Sequence, residues 1–105
     1  MKRKIVAVCA CPMGLAHTFM AAEAIEQKSK ELGYDVKVET QGADGITNEL
    51  SKEDIQRADI IIHAVSITPE NMWRFENYEV YEVTLQEIIS NPESIIKEIE
   101  HDLSI

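Results

Sequence analysis

Between Lys4 and Lys28 the chain has neither lysine nor arginine, although this span holds its most distinctive motif. A loop there that handles phosphate must do so with backbone amides, Thr18 and His17, without a cationic clamp. Bases are scarce throughout: 10 Lys and Arg against 19 Asp and Glu leave a formal net charge of −9. That sign argues against nucleic acid and against anionic membrane surfaces, both of which need basic patches. It leaves room for a protein partner with positive or apolar patches. No apolar run approaches the ~20 residues of a spanning helix, so direct membrane insertion is not expected. The start, Met1-Lys2-Arg3-Lys4, imitates a signal peptide. The stretch after it, however, contains Pro12, Gly14 and His17 and runs on into a helical pattern. A cytoplasmic chain is expected.

Cysteine is also sparse. Cys9 and Cys11 are spaced C-x-C, which cannot close an ordinary disulfide, and in a reducing compartment both should be free. With His17 they do not reproduce the paired C-x-x-C spacing of zinc sites, so neither a metal nor an organic cofactor is expected. The remaining composition, 45% hydrophobic and 28% charged over 105 residues, is that of one globular domain, residues 1–105.

Periodicity organises that domain. Ile5–Cys9 and Asp59–Val65 are nearly continuous apolar runs, as strands buried on both faces require. Tyr34–Thr40 alternates, with Asp35, Lys37 and Glu39 on a wet face, which predicts an edge strand. Glu79–Val83 predicts a fourth strand. Leu15–Leu32 reads as a helix whose apolar stripe is Leu15, Phe19, Ala22, Ile25, Ser29 and Leu32, widened by Ala16, Met20 and Ala24 and stopped by Gly33. Ser51 with Asp54 predicts a capped short helix to Arg57. Leu85–Ile89 and Pro92–Leu103 predict two more, the last capped by Asn91. Gln41–Gly45 and Ser66–Asn77 read as loops. The result is an α/β fold: a three-layer sandwich with a four-stranded parallel sheet, order 2-1-3-4, and helices on both faces. The reactive crevice of such sheets lies beyond the strand C-termini, where strands 1 and 3 diverge. Cys11 leaves strand 1 at that point.

A thiol at a helix start is pushed toward thiolate by unpaired N–H groups and the helix dipole. A reference thiol is only about 3% ionised at pH 7, and a fall of ~1.5 pKa units would make it half thiolate. Cys11 is therefore expected to be the nucleophile and Cys9 a core residue. Pro12 and Gly14 shape the turn, and the amides of Met13, Gly14, Leu15, Ala16, His17 and Thr18 can ring an anion. His17 either donates to that anion or only caps the helix. Thr18 either serves the thiolate or bonds back into the helix. Gln41 and Gly42 leave strand 2 at the same edge and either shape a docking rim or simply turn. Arg74, the only base between Arg57 and Lys97, either meets a phosphate or partner or pairs with Glu70, Glu76 or Glu79. Trp73 and Phe75 are core plugs or partner contacts.

Three chemistries suit a thiol so placed. A C-x5-R phosphatase needs an arginine six residues after the nucleophile, where this chain has His17. A thioredoxin-type oxidoreductase needs C-x-x-C. A phosphoryl carrier needs neither, because it must hold the group for an acceptor without driving water attack.

The segments Ala10-Cys11-Pro12-Met13-Gly14-Leu15-Ala16-His17-Thr18-Phe19-Met20-Ala21-Ala22-Glu23, Val38-Glu39-Thr40-Gln41-Gly42, Asn48-Glu49-Leu50, Glu53-Asp54-Ile55 and Arg74-Phe75 resemble the fructose-type enzyme IIB of the bacterial phosphoenolpyruvate:sugar phosphotransferase system. The resemblance runs to about Val83. It implies that Cys11 accepts a phosphoryl group from a phosphohistidine of a IIA protein and passes it to a sugar held by a membrane-embedded IIC permease, IIA and IIC being separate polypeptides. It also implies a phosphotransferase that associates with a membrane permease. Cys9, Met13 and the segment His63-Ala64-Val65-Ser66 depart from the commonest pattern and place the chain nearer the fructose-like branch. The alternatives are a low-molecular-weight cysteine phosphatase or arsenate-reductase-like enzyme, and a regulatory domain that uses a phosphorylated Cys11 only to bind a partner.

Overall fold

The structure is a computed structural model and describes residues 3–12, 15–43 and 45–105. Met13 and Gly14, expected in the anion loop, lie outside the described residues, and of Leu15 only the backbone is described. The elements run β1 (Lys4–Ala10), α1 (Leu15–Glu31), β2 (Asp35–Gly42), β3 (Gly45–Thr47), α2 (Lys52–Arg57), β4 (Ile60–Val65), a 3-10 turn (Met72–Phe75), β5 (Tyr81–Val83), α3 (Leu85–Ser90) and α4 (Pro92–Leu103).

The sheet order is β3-β2-β1-β4-β5. Its four parallel strands, β2-β1-β4-β5, keep the order expected from the two continuous and two alternating apolar runs. The fifth strand is a correction: the sheet is mixed, with β3 antiparallel to the end of β2 through Thr40–Thr47, Gln41–Ile46 and Gly42–Gly45 pairs. A three-residue strand flanked by glycine has no alternation to betray it. Gly45 sits at φ 96°, the left-handed region that glycine enters without steric cost. β3 covers β2 only at Thr40–Gly42, so among the described residues Asp35–Glu39 keep the open side expected of an edge strand.

The strand period of two divides the core. Ile5, Ala7 and Cys9 of β1 pack with Ile60, Ile62 and Ala64 of β4 beneath α1, α3 and α4. Val6, Val8 and Ile61 turn the other way, toward Ile55 of α2, Leu50 and Phe75. Continuous apolar strands are thus covered on both faces, as parallel sheets require.

Local signals set the helix ends. Ser51 and Asp54 form the reciprocal capping box expected of them, and Thr84 with Glu87 forms a second one. After α1, Gly33 at φ 88° lets Tyr34 N–H reach Ser29 O at 2.9 Å and Gly33 N–H reach Lys30 O at 3.0 Å, which closes the last turn. Asn91 does not cap α4 with its side chain; its N–H instead terminates α3 on Glu87 O. The stripe of α1 is rotated from the expected one. Thr18, Ala21, Ile25 and Ser29 are buried, whereas Phe19 and Met20 are 52% and 51% exposed.

Candidate functional site

The strand order brings three chain segments to one point. β1 ends at Ala10, and the ladder continues one step past it: Cys11 N–H donates to Gln41 O at 3.3 Å, and Ser66 N–H donates to Ala10 O at 3.0 Å. The loops leaving β1, β2 and β4 therefore meet above the middle of the sheet. Between them lies a cavity of about 140 Å3 lined by Cys11, Pro12, Gln41, Gly42, Ile67, Thr68 and Glu70. Larger clefts exist, about 460 Å3 beside β5 and α4 and about 620 Å3 at the strand N-termini, but no cysteine lines either. Among the described residues neither lysine nor arginine lines the Cys11 cavity.

The two thiols divide as their strand positions demand. Cys9 is fully buried in the core, and burial pushes its thiol up to about 12. Cys11 is partly exposed at the cavity. α1 starts four residues after Cys11 and has no acid in its first turn, while Lys28 and Lys30 occupy its last. Its dipole is thus left positive at the Cys11 end. Ala16 and His17 in the first turn are exposed. Thr18 is the opposite: its Oγ1 is sealed from solvent and makes no hydrogen bond among the described residues, back-bonding within the helix included. A buried unpaired hydroxyl costs on the order of 1–3 kcal/mol.

Gly42 pairs with Gly45 in the β2–β3 hairpin, and a Cβ there would lie 4.0 Å from Cys11 O, an ordinary contact. Gln41 is 4% exposed and ties the two sides of the cavity together. Its carbonyl holds Cys11, and its carboxamide Oε1 accepts Glu70 N–H at 2.8 Å.

Arg74 departs from the surface pairing expected for it. It is buried, and its Nη1 and Nη2 donate to Oε1 and Oε2 of Glu39 at 2.7 and 3.1 Å. Nη1 also donates to Leu50 O at 2.8 Å, and Nε to Asn71 O at 2.8 Å. Glu70, Glu76 and Glu79 take no side-chain ion pair from it among the described residues. Glu39, read from the alternation as a wet residue, is fully buried. Burial raises its carboxyl pKa, but Arg74, Leu50 N–H and Gln41 outweigh this, and the net shift is downward. Sequence reasoning missed Glu39 because its partner is 35 residues away. The one available signal was a lone arginine in an acidic stretch. Phe75 plugs the core, its ring 4.5 Å from that of the buried His63, while Trp73 stays 56% exposed under Lys52 Nζ.

Among the described residues there is no cluster of three or more His, Cys, Asp or Glu able to hold a metal, and no helix long and apolar enough to cross a membrane.

Residues 6–98 match the family model described as PTS system, Lactose/Cellobiose specific IIB subunit. The chain is 62% identical over 100 residues to the PTS system fructose-like EIIB component 1 of Escherichia coli K12, covering 95% of this chain and 93% of that protein. It is 43% identical over 98 residues to the fructose-like PTS system EIIBC component of the same organism, of which it spans only 20%. The solution structure of an enzyme IIB subunit of the PTS from Escherichia coli K12 superposes with a TM-score of 0.93 at 60% identity, over 99% of this chain and 96% of that one. The chain belongs to the enzyme IIB family of the sugar phosphotransferase system, among its fructose-like members.

Proposed function

We propose that this chain is a phosphoryl carrier in which Cys11 takes the group from a IIA phosphohistidine and hands it to a fructose-like sugar bound by a IIC permease. The observation that carries this reading is the place of Cys11: a partly exposed thiol on the loop leaving the central strand, opening on a cavity with no lysine or arginine among the described residues. The family supports a role in sugar phosphotransfer. The fructose-like relatives support the sugar class, and the EIIBC relative supports a close working relation with a C component.

In the first transfer the Cys11 thiolate attacks phosphorus in line. The N–P bond breaks, the imidazole nitrogen keeps the electron pair and takes a proton from solvent, and an S–P bond forms. In the second, a sugar hydroxyl attacks phosphorus, the S–P bond breaks, sulfur departs as thiolate, and the hydroxyl proton goes to a base on the permease. Positioning and electrostatic stabilisation supply most of the rate in such transfers. Here the stabilising groups are the amides from Pro12 to Thr18, less the N–H that Pro12 lacks. Met13, Gly14, Leu15, Ala16, His17 and Thr18 supply backbone donors, and His17 adds a ring donor. The unpaired Thr18 hydroxyl gains in the phosphorylated state the partner it otherwise lacks. Gln41 and Gly42 form the docking rim.

A cysteine phosphatase is disfavoured because among the described residues no guanidinium lines the cavity, and Arg74 is engaged with Glu39. The reading is tested by mass spectrometry after incubation with phosphoenolpyruvate, the general phosphotransferase proteins and IIA. One phosphate should be gained, lost in Cys11→Ser and kept in Cys9→Ser. Labelling that survives Cys11→Ser would overturn it.

A further inference from the structure

We infer that Glu39, Arg74 and Gln41 act as one positioning unit that fixes the outer wall of the Cys11 cavity, and that the rate of phosphoryl passage through Cys11 depends on it. The inference rests on the carrier reading above.

The outer wall is the loop after β4, from which Ile67, Thr68 and Glu70 line the cavity. Those three side chains are exposed, and of the stretch from Ser66 to Glu70 only Pro69 is buried, so apolar packing holds this loop weakly. Polar bonds hold it instead. Gln41 Oε1 accepts Glu70 N–H at 2.8 Å, and Glu70 O receives Gln41 Nε2 and Arg74 Nη2, each at 3.3 Å. Gln41 Nε2 also donates to Glu39 Oε2 at 2.6 Å. The carboxamide has only one workable orientation, because a carboxylate accepts only and an N–H donates only. Glu39 and the Glu70 amide thus fix the same orientation, with Nε2 toward the carboxylate and Oε1 toward Glu70 N–H. Glu39 in turn is held by Arg74 on one side and by Leu50 N–H, at 2.7 Å to Oε1, on the other.

Gln41 is also the residue whose carbonyl holds the Cys11 amide. One side chain and its own peptide therefore set the separation between the nucleophile and the opposite wall. A buried ion pair is a poor device for stability alone, since apolar residues of similar volume do as well or better. What it supplies here is a single geometry. Misplacement of a reacting group by about 1 Å can cost on the order of 100-fold in rate. Glu39 and Arg74 act through Gln41 and the loop it holds, so the role of the unit is positioning.

The test uses the full chain with phosphorylated IIA as donor. Gln41→Leu removes both ties to Glu70. The double variant Glu39→Leu/Arg74→Met removes the charged support while keeping the site filled, and it carries the test should Gln41→Leu fail to fold. For whichever variant folds, the expected result is a fall in kcat of at least about tenfold, and for Glu39→Leu/Arg74→Met, whose two residues are buried behind the docking rim, KM for IIA changes less than about twofold. The amide NMR signals of Cys11 and Glu70 should shift together while those of α4 stay in place. A folded variant with wild-type kcat overturns the inference and leaves the carrier reading standing. Failure of the wild-type protein to take phosphate on Cys11 overturns both.

Discussion

Arg74 and Glu39 meet through two parallel hydrogen bonds, Nη1 to Oε1 at 2.7 Å and Nη2 to Oε2 at 3.1 Å, with the arginine side chain 4% exposed and the carboxylate not at all. The bidentate form is the strongest geometry open to such a pair. Removing one member leaves an uncompensated charge inside the fold. Glu39→Gln or Arg74→Met alone should lower the unfolding free energy by roughly 3–5 kcal/mol. Urea titration checks this, and a loss below about 1 kcal/mol would mean that water reaches the pair.

Acid should destabilise the protein earlier than its carboxylates alone would cause. His63 lies on β4, 1% exposed, with Nε2 unpaired. Burial lowers its pKa to about 4, with help from the Arg74 charge and against the opposing pull of Glu39. The folded state therefore keeps His63 neutral while the unfolded chain protonates near pH 6.5. Stability is full above that value and falls as pH drops toward 4, by about 3 kcal/mol in all. Glu39, whose folded pKa is depressed, adds to the acid loss: its stabilising charge is present above the ordinary carboxyl pKa and is lost as pH falls through the folded value. Urea midpoints measured from pH 7 to pH 5 should decline in the wild type and flatten in His63→Leu. A flat wild-type profile would contradict the assignment.

The two thiols should differ in the folded state and agree in the unfolded one. Cys9, fully buried with its thiol pushed up to about 12, has almost no thiolate at neutral pH. Iodoacetamide should therefore modify one cysteine in native protein and two in denaturant, with the native label mapping to Cys11. Comparable native labelling of Cys9 would show that β1 is less tightly covered than its packing indicates.

Much of this was legible in the sequence, and the exceptions share a cause. Periods of two and 3.6 are local, so the parallel strands, their order and the helices followed from apolar runs such as Ile5–Cys9 and caps such as Ser51–Asp54. Cys11 followed as well, because its place depends only on the strand before it and the helix after it. Glu39 did not. Its alternation with Val38 marks a wet face, and only the return of Arg74 from 35 residues away makes that face dry. Phe19 and Met20 were misplaced for a related reason. Small residues, Thr18 and Ala21, let α1 lie close to the sheet and leave the larger side chains outside. β3 was lost to brevity.

The claim on which the rest depends is that phosphate on Cys11 waits for an acceptor and does not simply hydrolyse. The most direct measurement isolates the radiolabelled phosphoprotein and chases it, with and without membranes containing the permease and its sugar. The expected result is label retained on the protein in their absence and moved to sugar phosphate in their presence. Release of inorganic phosphate at the same rate in both arms would contradict it.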